Sequence, residues 1–216
     1  MIARTIPAQT HGRYLIDVPS GAGPFALLVG FHGYGESAAA MMDELRRIRG
    51  GRPWLAVSIQ ALNRFYNRSN NTIVANWMTR EDRELAIADN IRYVDAVIAD
   101  VRATQPAKDT LVYVGFSQGT AMAYRAAAFG PRANALIVLA GDVPPDVAPR
   151  AASLPAILIG RGRTDHWYTE AKAAADHQVL KGAGSRFEDF VFEGGHVWDS
   201  TFVDRASAWL DSLEEA

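Results

Sequence analysis

The sequence predicts an α/β fold, a single domain over residues 1–216 with a mostly parallel central sheet and helices on both faces. Three observations carry this reading. Short apolar runs of strand length alternate along the chain with segments of helical spacing, as in sheets built from strand–helix–strand units. Several of these runs lack polar alternation, which marks strands buried on both faces. The polar residues best suited to chemistry (His32, Ser117, Asp142, Asp165 and His196) all follow the carboxyl end of such a run, the edge at which open parallel sheets bind ligands.

Taken in order, residues 13–18 read as an edge strand closed by Pro19-Ser20-Gly21. Residues 25–31, Phe-Ala-Leu-Leu-Val-Gly-Phe, form a buried strand that runs into His32-Gly33-Tyr34-Gly35-Glu36-Ser37. A helix follows over 38–49 with Met41, Leu45 and Ile48 on one side, and Gly50-Gly51 stops it. Residues 55–59 are a further buried strand. The stretch 60–78 is rich in Asn and aromatics and shows no clear periodicity, so it reads as irregular and functional. Thr79-Arg80-Glu81-Asp82 has the spacing of a capping box, opening a long helix striped by Ile87, Ile91, Val94, Ile98 and Val101. Strands are expected at 111–115, 135–139, 156–159 and 187–192. Helices are expected after Ser117 through Ala128, over 170–180, and over 201–213, the last burying Phe202, Ala206, Trp209 and Leu213.

Composition narrows the function. Of 216 residues 49% are hydrophobic and 21% charged, and the formal net charge is −2, so no field draws the chain to nucleic acid or anionic lipid. There is no cysteine, which removes disulfides, thiolate metal sites and a thiol nucleophile. Residues 1–14 are polar and the longest apolar run, 135–140, is too short to span a bilayer, so a cytoplasmic location is expected. Neither a metalloprotease His-Glu-x-x-His nor a phosphate-loop Gly-x-x-x-x-Gly-Lys occurs, and no metal or organic cofactor is expected.

The chemistry centres on Gly115-Phe116-Ser117-Gln118-Gly119, a Gly-x-Ser-x-Gly sequence between an apolar strand and a small-residue helix. A serine hydroxyl is a weak nucleophile at neutral pH and needs a base within hydrogen-bond reach, itself oriented by an acid. Among five histidines, His196 follows a strand through Gly194-Gly195 and is the candidate base. His11 and His177 read as surface residues, and His32 and His166 as loop residues. Asp165 is preferred as the acid over Asp142, which precedes Val143-Pro144-Pro145 and has the character of a turn former. The order Ser117, Asp165, His196 is that of nucleophile-elbow hydrolases. Backbone N–H groups of Gln118 and Tyr34 are the candidate oxyanion donors. Phe65, Tyr66, Trp77, Met78, Trp167 and Trp198 lie in loops near this edge and are candidates for an apolar substrate pocket.

Together, Gly-Phe-Ser-Gln-Gly, the His-Gly-Tyr-Gly loop, Gly-Arg-x-Asp-His and Gly-Gly-His resemble the α/β-hydrolase superfamily. Within it, residues 25–213 are most similar to the phospholipase/carboxylesterase group that includes acyl-protein thioesterases. Thr120 departs from that group, which often has a second glycine there. The resemblance implies an esterase fold, Ser117, Asp165 and His196 as a catalytic triad, and Tyr34 and Gln118 as oxyanion donors. A small soluble carboxylic ester is the expected substrate. Lysophospholipase, thioesterase, peptidase and polyester-depolymerase activity on the same fold, or an inactive binding module, are the alternatives.

Overall fold

In the computed structural model, which describes residues 1–214, the chain builds a seven-stranded sheet and a separate hairpin. The strands of the large sheet are β1 (Arg13–Asp17), β2 (Phe25–Phe31), β3 (Trp54–Gln60), β6 (Ala107–Phe116), β7 (Ala135–Leu139), β8 (Ala156–Gly162) and β9 (Phe187–Phe192). They are ordered β1-β3-β2-β6-β7-β8-β9, and only β1 runs antiparallel, against β3. The hairpin pairs β4 (Asn63–Tyr66) with β5 (Ile73–Asn76).

Side chains alternate between two cores, as the period of a strand requires. Leu27, Val29 and Phe31 of β2, with Leu55 and Val57 of β3, face a core closed by three helices. These are α2 (Arg83–Thr104), α3 (Gln118–Phe129) and α4 (Glu170–Gly182). Leu28 of β2 and Val112 and Val114 of β6 face the other core, closed by α1 (Ala38–Arg49) and α5 (Ser200–Glu214). Five-residue β7 is buried at every position, in keeping with its unbroken run Ala-Leu-Ile-Val-Leu. Among the described residues no helix is long and apolar enough to cross a membrane.

Three expectations need correction. The stretch 60–78 is not irregular, because it contains the β4–β5 hairpin. Its asparagines are turn formers: Asn67 Oδ1 accepts from the Ser69 amide, Asn70 Oδ1 accepts from the Thr72 amide, and Asn71 takes φ 56°. No capping box opens α2. The helix starts at Arg83 after Asp82, whose backbone is left-handed and whose side chain makes no cap, while Thr79 Oγ1 turns back to the Glu81 amide. Strand β6 is longer than its apolar run, since Ala107 already pairs with Phe25 and the polar residues 108–110 extend beyond the covered part of the sheet.

Candidate active site

The site lies beyond the carboxyl ends of β2, β6, β8 and β9. Strand β6 ends at Phe116, and Ser117 takes φ 53° and ψ −119° before α3 begins at Gln118. Two hydrogen bonds hold this conformation: the Ser117 amide donates to Leu139 O (2.9 Å) and the Thr120 amide to Ser117 O (3.0 Å). The turn is closed so tightly that a Cβ on Gly115 would stand 2.6 Å from Gly119 O, and one on Gly119 would overlap Phe31 O. Thr120, the departure from the family pattern, is fully buried and donates its hydroxyl to Leu139 O at 3.0 Å. It ties the start of α3 to the end of β7.

The structure brings Ser117, His196 and Asp165 into one hydrogen-bonded line. His196 Nε2 is 2.7 Å from Ser117 Oγ, and His196 Nδ1 is 2.8 Å from Asp165 Oδ2. With its proton on Nδ1, the imidazole donates to the carboxylate and accepts from the hydroxyl. The Asp165 side chain is 0% exposed, against 23% for His196. Burial pushes the Asp165 carboxyl up, but the Tyr168 amide, the His196 bond and the Trp167 amide outweigh it and hold the group below its ordinary pKa. Asp165 Oδ1 receives those two amides at 2.7 Å (Trp167) and 2.9 Å (Tyr168). The β9–α5 loop carrying His196 is pinned to the β8–α4 loop carrying Asp165, because the Thr164 amide donates to Gly194 O (2.8 Å). Asp142 is exposed and lines the adjoining cavity, with no bond to His196.

The β2–α1 loop leaves the same edge of the sheet beside Phe116. Among the described residues, neither the Tyr34 nor the Gln118 amide has a hydrogen-bond partner. Glu36, whose role the sequence did not reveal, accepts the Gly33 amide at 2.7 Å. Burial raises its pKa, partly opposed by the Gly33 amide. The β4–β5 hairpin latches this loop: the Gly35 amide donates to Ala75 O and the Ala75 amide to Glu36 O. The Gln118 side chain bridges to the same region, accepting from the Trp77 amide (2.8 Å) and donating to Met78 O (2.9 Å).

The expected aromatic pocket is only partly formed. The cavity over Ser117 and His196 has a volume of about 390 Å³ and includes Met78 and the 74%-exposed Trp167 in its lining. Trp77 is 0% exposed and belongs to the core, packing on Phe31 and His32 and donating Nε1–H to His32 O. Trp198 stacks on Phe116 and Phe202 behind His196. Phe65 lies against the exposed Tyr34 ring, and Tyr66 is exposed on the hairpin. Neither lines the cavity. Arg80, Arg83 and Lys172 do line it, and sequence reasoning missed all three as site residues. Among the described residues no group of three or more His, Asp or Glu side chains is disposed to hold a metal ion.

No family model matches the chain, and no curated protein matches it in sequence. Solved structures do. Esterase PE8 superposes with a TM-score of 0.75 at 23% identity, covering 94% of this chain and 99% of that one. The acyl-protein thioesterase 2 of Zea mays gives 0.70 at 20% identity (94% and 99% covered), and the Bacillus cereus carboxylesterase 0.71 at 14% (94% and 94% covered). With a mostly parallel sheet, a serine at the sharp strand-to-helix turn after β6, and full-length similarity to these structures, the chain has the α/β-hydrolase fold.

Proposed function

We propose that the chain is a serine hydrolase of small carboxylic esters, with Ser117 as nucleophile, His196 as base and Asp165 as its orienting acid. The observation that carries this reading is the unbroken line Asp165–His196–Ser117, with contacts of 2.8 and 2.7 Å. His196 takes the Ser117 proton as Oγ attacks the ester carbonyl, and the Tyr34 and Gln118 amides receive the oxyanion. The imidazolium then protonates the leaving alcohol. Water, deprotonated by the same imidazole, releases the acid and restores Ser117.

The fold is shared with structures named as esterases, a carboxylesterase and a thioesterase, so a thioester belongs in the test panel. The cavity of about 390 Å³ suits a small acyl group. The test combines labelling by a fluorophosphonate with turnover of p-nitrophenyl acetate, an acyl thioester and an aminoacyl amide. One label per chain on Ser117 is expected, lost in Ser117→Ala and His196→Ala, with ester turnover reduced about a millionfold in either variant. Fastest turnover of the amide, or no labelling of Ser117, would overturn the reading.

A further inference from the structure

The cavity beside Ser117 carries an excess of positive charge. Arg80, Arg83 and Lys172 line it together with Ser117 and His196, and the only carboxylate in the lining is Asp142. All three cations are exposed, and among the described residues none has an ion-pair partner within 4.0 Å. Elsewhere in the molecule Arg46, Arg49, Arg125, Arg163 and Arg205 each hold a carboxylate. Asp146, an acid whose charge is felt by Arg83, already receives both Nε and an Nη of Arg125 at 2.8 Å. Asp82 and Glu84 share a shallow neighbouring depression with Arg80 and Arg83, yet neither reaches them as an ion pair.

The placement of these cations works against the helices that carry them. Arg83 is the first residue of α2, and Lys172 stands in the first turn of α4 after the Thr169 cap. The positive end of a helix dipole favours anions there, so cations at these positions add repulsion that a bound anion would relieve. Each first turn has one acid, Glu84 and Glu170, and both are exposed outside the lining of the cavity. Helix α3 also opens at this cavity, with Gln118. Guanidinium and ammonium groups without partners, at the mouth of a nucleophile's pocket, fit an oxyanionic group on the molecule that the nucleophile attacks.

Building on the hydrolase reading above, we propose that this site selects esters bearing a carboxylate or phosphate group, held by Arg80, Arg83 and Lys172. Binding the anion at these residues positions the ester carbonyl at Ser117 and offsets the positive charge of the cavity. The chemical step is unchanged: water adds, the ester bond breaks, and an acid and an alcohol leave.

The test measures kcat/KM on matched esters, each divided by its rate of hydrolysis by hydroxide. On the acyl side, the mono-p-nitrophenyl ester of glutaric acid is compared with p-nitrophenyl pentanoate. On the alcohol side, m-acetoxybenzoate and m-acetoxyphenyl phosphate are compared with m-acetoxybenzamide. At least one anionic ester is expected to exceed its neutral partner by about tenfold or more, and that arm identifies the anion and the side of the ester that carries it. The triple variant Arg80→Gln/Arg83→Gln/Lys172→Gln should lower that ratio about tenfold or more. A ratio of one or less in every arm, or one that the triple variant leaves unchanged, overturns the inference while p-nitrophenyl pentanoate is still hydrolysed. Failure of the wild-type chain to hydrolyse any ester or to take label on Ser117 would instead remove the hydrolase reading on which the inference rests.

Discussion

Two histidines stand just past the carboxyl ends of parallel strands, and they do opposite things. His32 follows β2 directly, and His196 follows β9 by four residues. Each engages both ring nitrogens. His32 Nδ1 meets Gly33 O at 2.7 Å and its Nε2 accepts the Ala61 amide at 3.1 Å, in a fully buried setting that lowers its pKa. His196 has a carboxylate on one nitrogen and a hydroxyl on the other, and part of its ring is open to the cavity. Peptide groups cannot exchange protons usefully at neutral pH, so His32 is scaffold. In the proposed reading His196 differs because a carboxylate and a hydroxyl stand at its two ends, the partners a general base needs.

Apart from loss of Ser117 or His196 themselves, the largest effect should come from disturbing the far end of the His196 line. Asp165→Asn keeps the size of the side chain but presents an amide to Nδ1, so the imidazole loses the tautomer it needs. A fall in kcat of about ten-thousandfold is expected with little change in the circular dichroism spectrum. A drop of only a few fold would mean that Asp165 is not the orienting acid. His32→Ala tests the other loop and should act on stability. It leaves the Ala61 amide unpaired and removes the ring packed on buried Trp77, so urea unfolding should show a loss of about 2–4 kcal/mol. His196→Ala, at a partly open position, should cost about 1 kcal/mol or less.

A smaller effect sharpens the contrast by loosening the β2–α1 loop without touching either histidine. Glu36→Ala removes the acceptor of the Gly33 amide, and kcat should fall about three- to tenfold with KM nearly unchanged, because the loss is felt where oxyanion charge develops. The smallest concerns the support behind Asp165. Tyr168, whose amide binds Asp165, donates its hydroxyl to Asp176 (2.9 Å), and burial, as the main cause, raises the Asp176 pKa to about 6. An acid raised above its unfolded value gives the folded state most stability at low pH and loses it as pH rises. Between about pH 4 and 6 the wild-type protein should therefore lose on the order of 1 kcal/mol relative to Asp176→Asn. Parallel stability curves for the two proteins across that range would refute the assignment.

The sheet was legible because its central strands are apolar on both faces. β2, β3, β7 and β8 read directly from unbroken runs, and the residues at their carboxyl ends followed from that. Ser117, Asp165 and His196 were legible for a further reason, since glycines and loop positions advertise a turn that needs them. The β4–β5 hairpin was not, because Asn63, Arg64 and Tyr66 are exposed and four-residue strands offer too few alternations to detect. The pocket was misjudged in its chemistry. Trp77 reads like any loop aromatic, and only its approach to Phe31 and His32 makes it core. Arg80, Arg83 and Lys172 were not singled out in the sequence, since nothing local reveals that α2 and α4 begin at the same cavity.

The closeness of Gly119 to Phe31 O has a bearing on how this protein can change. At Gly119 no side chain separates the start of α3 from the end of β2, so substitution has nothing at that point with which to narrow the gap. The rim occupied by residues 80, 83, 167 and 172 is free of that constraint. Laboratory evolution toward new esters should leave the elbow untouched and gather its mutations along that rim.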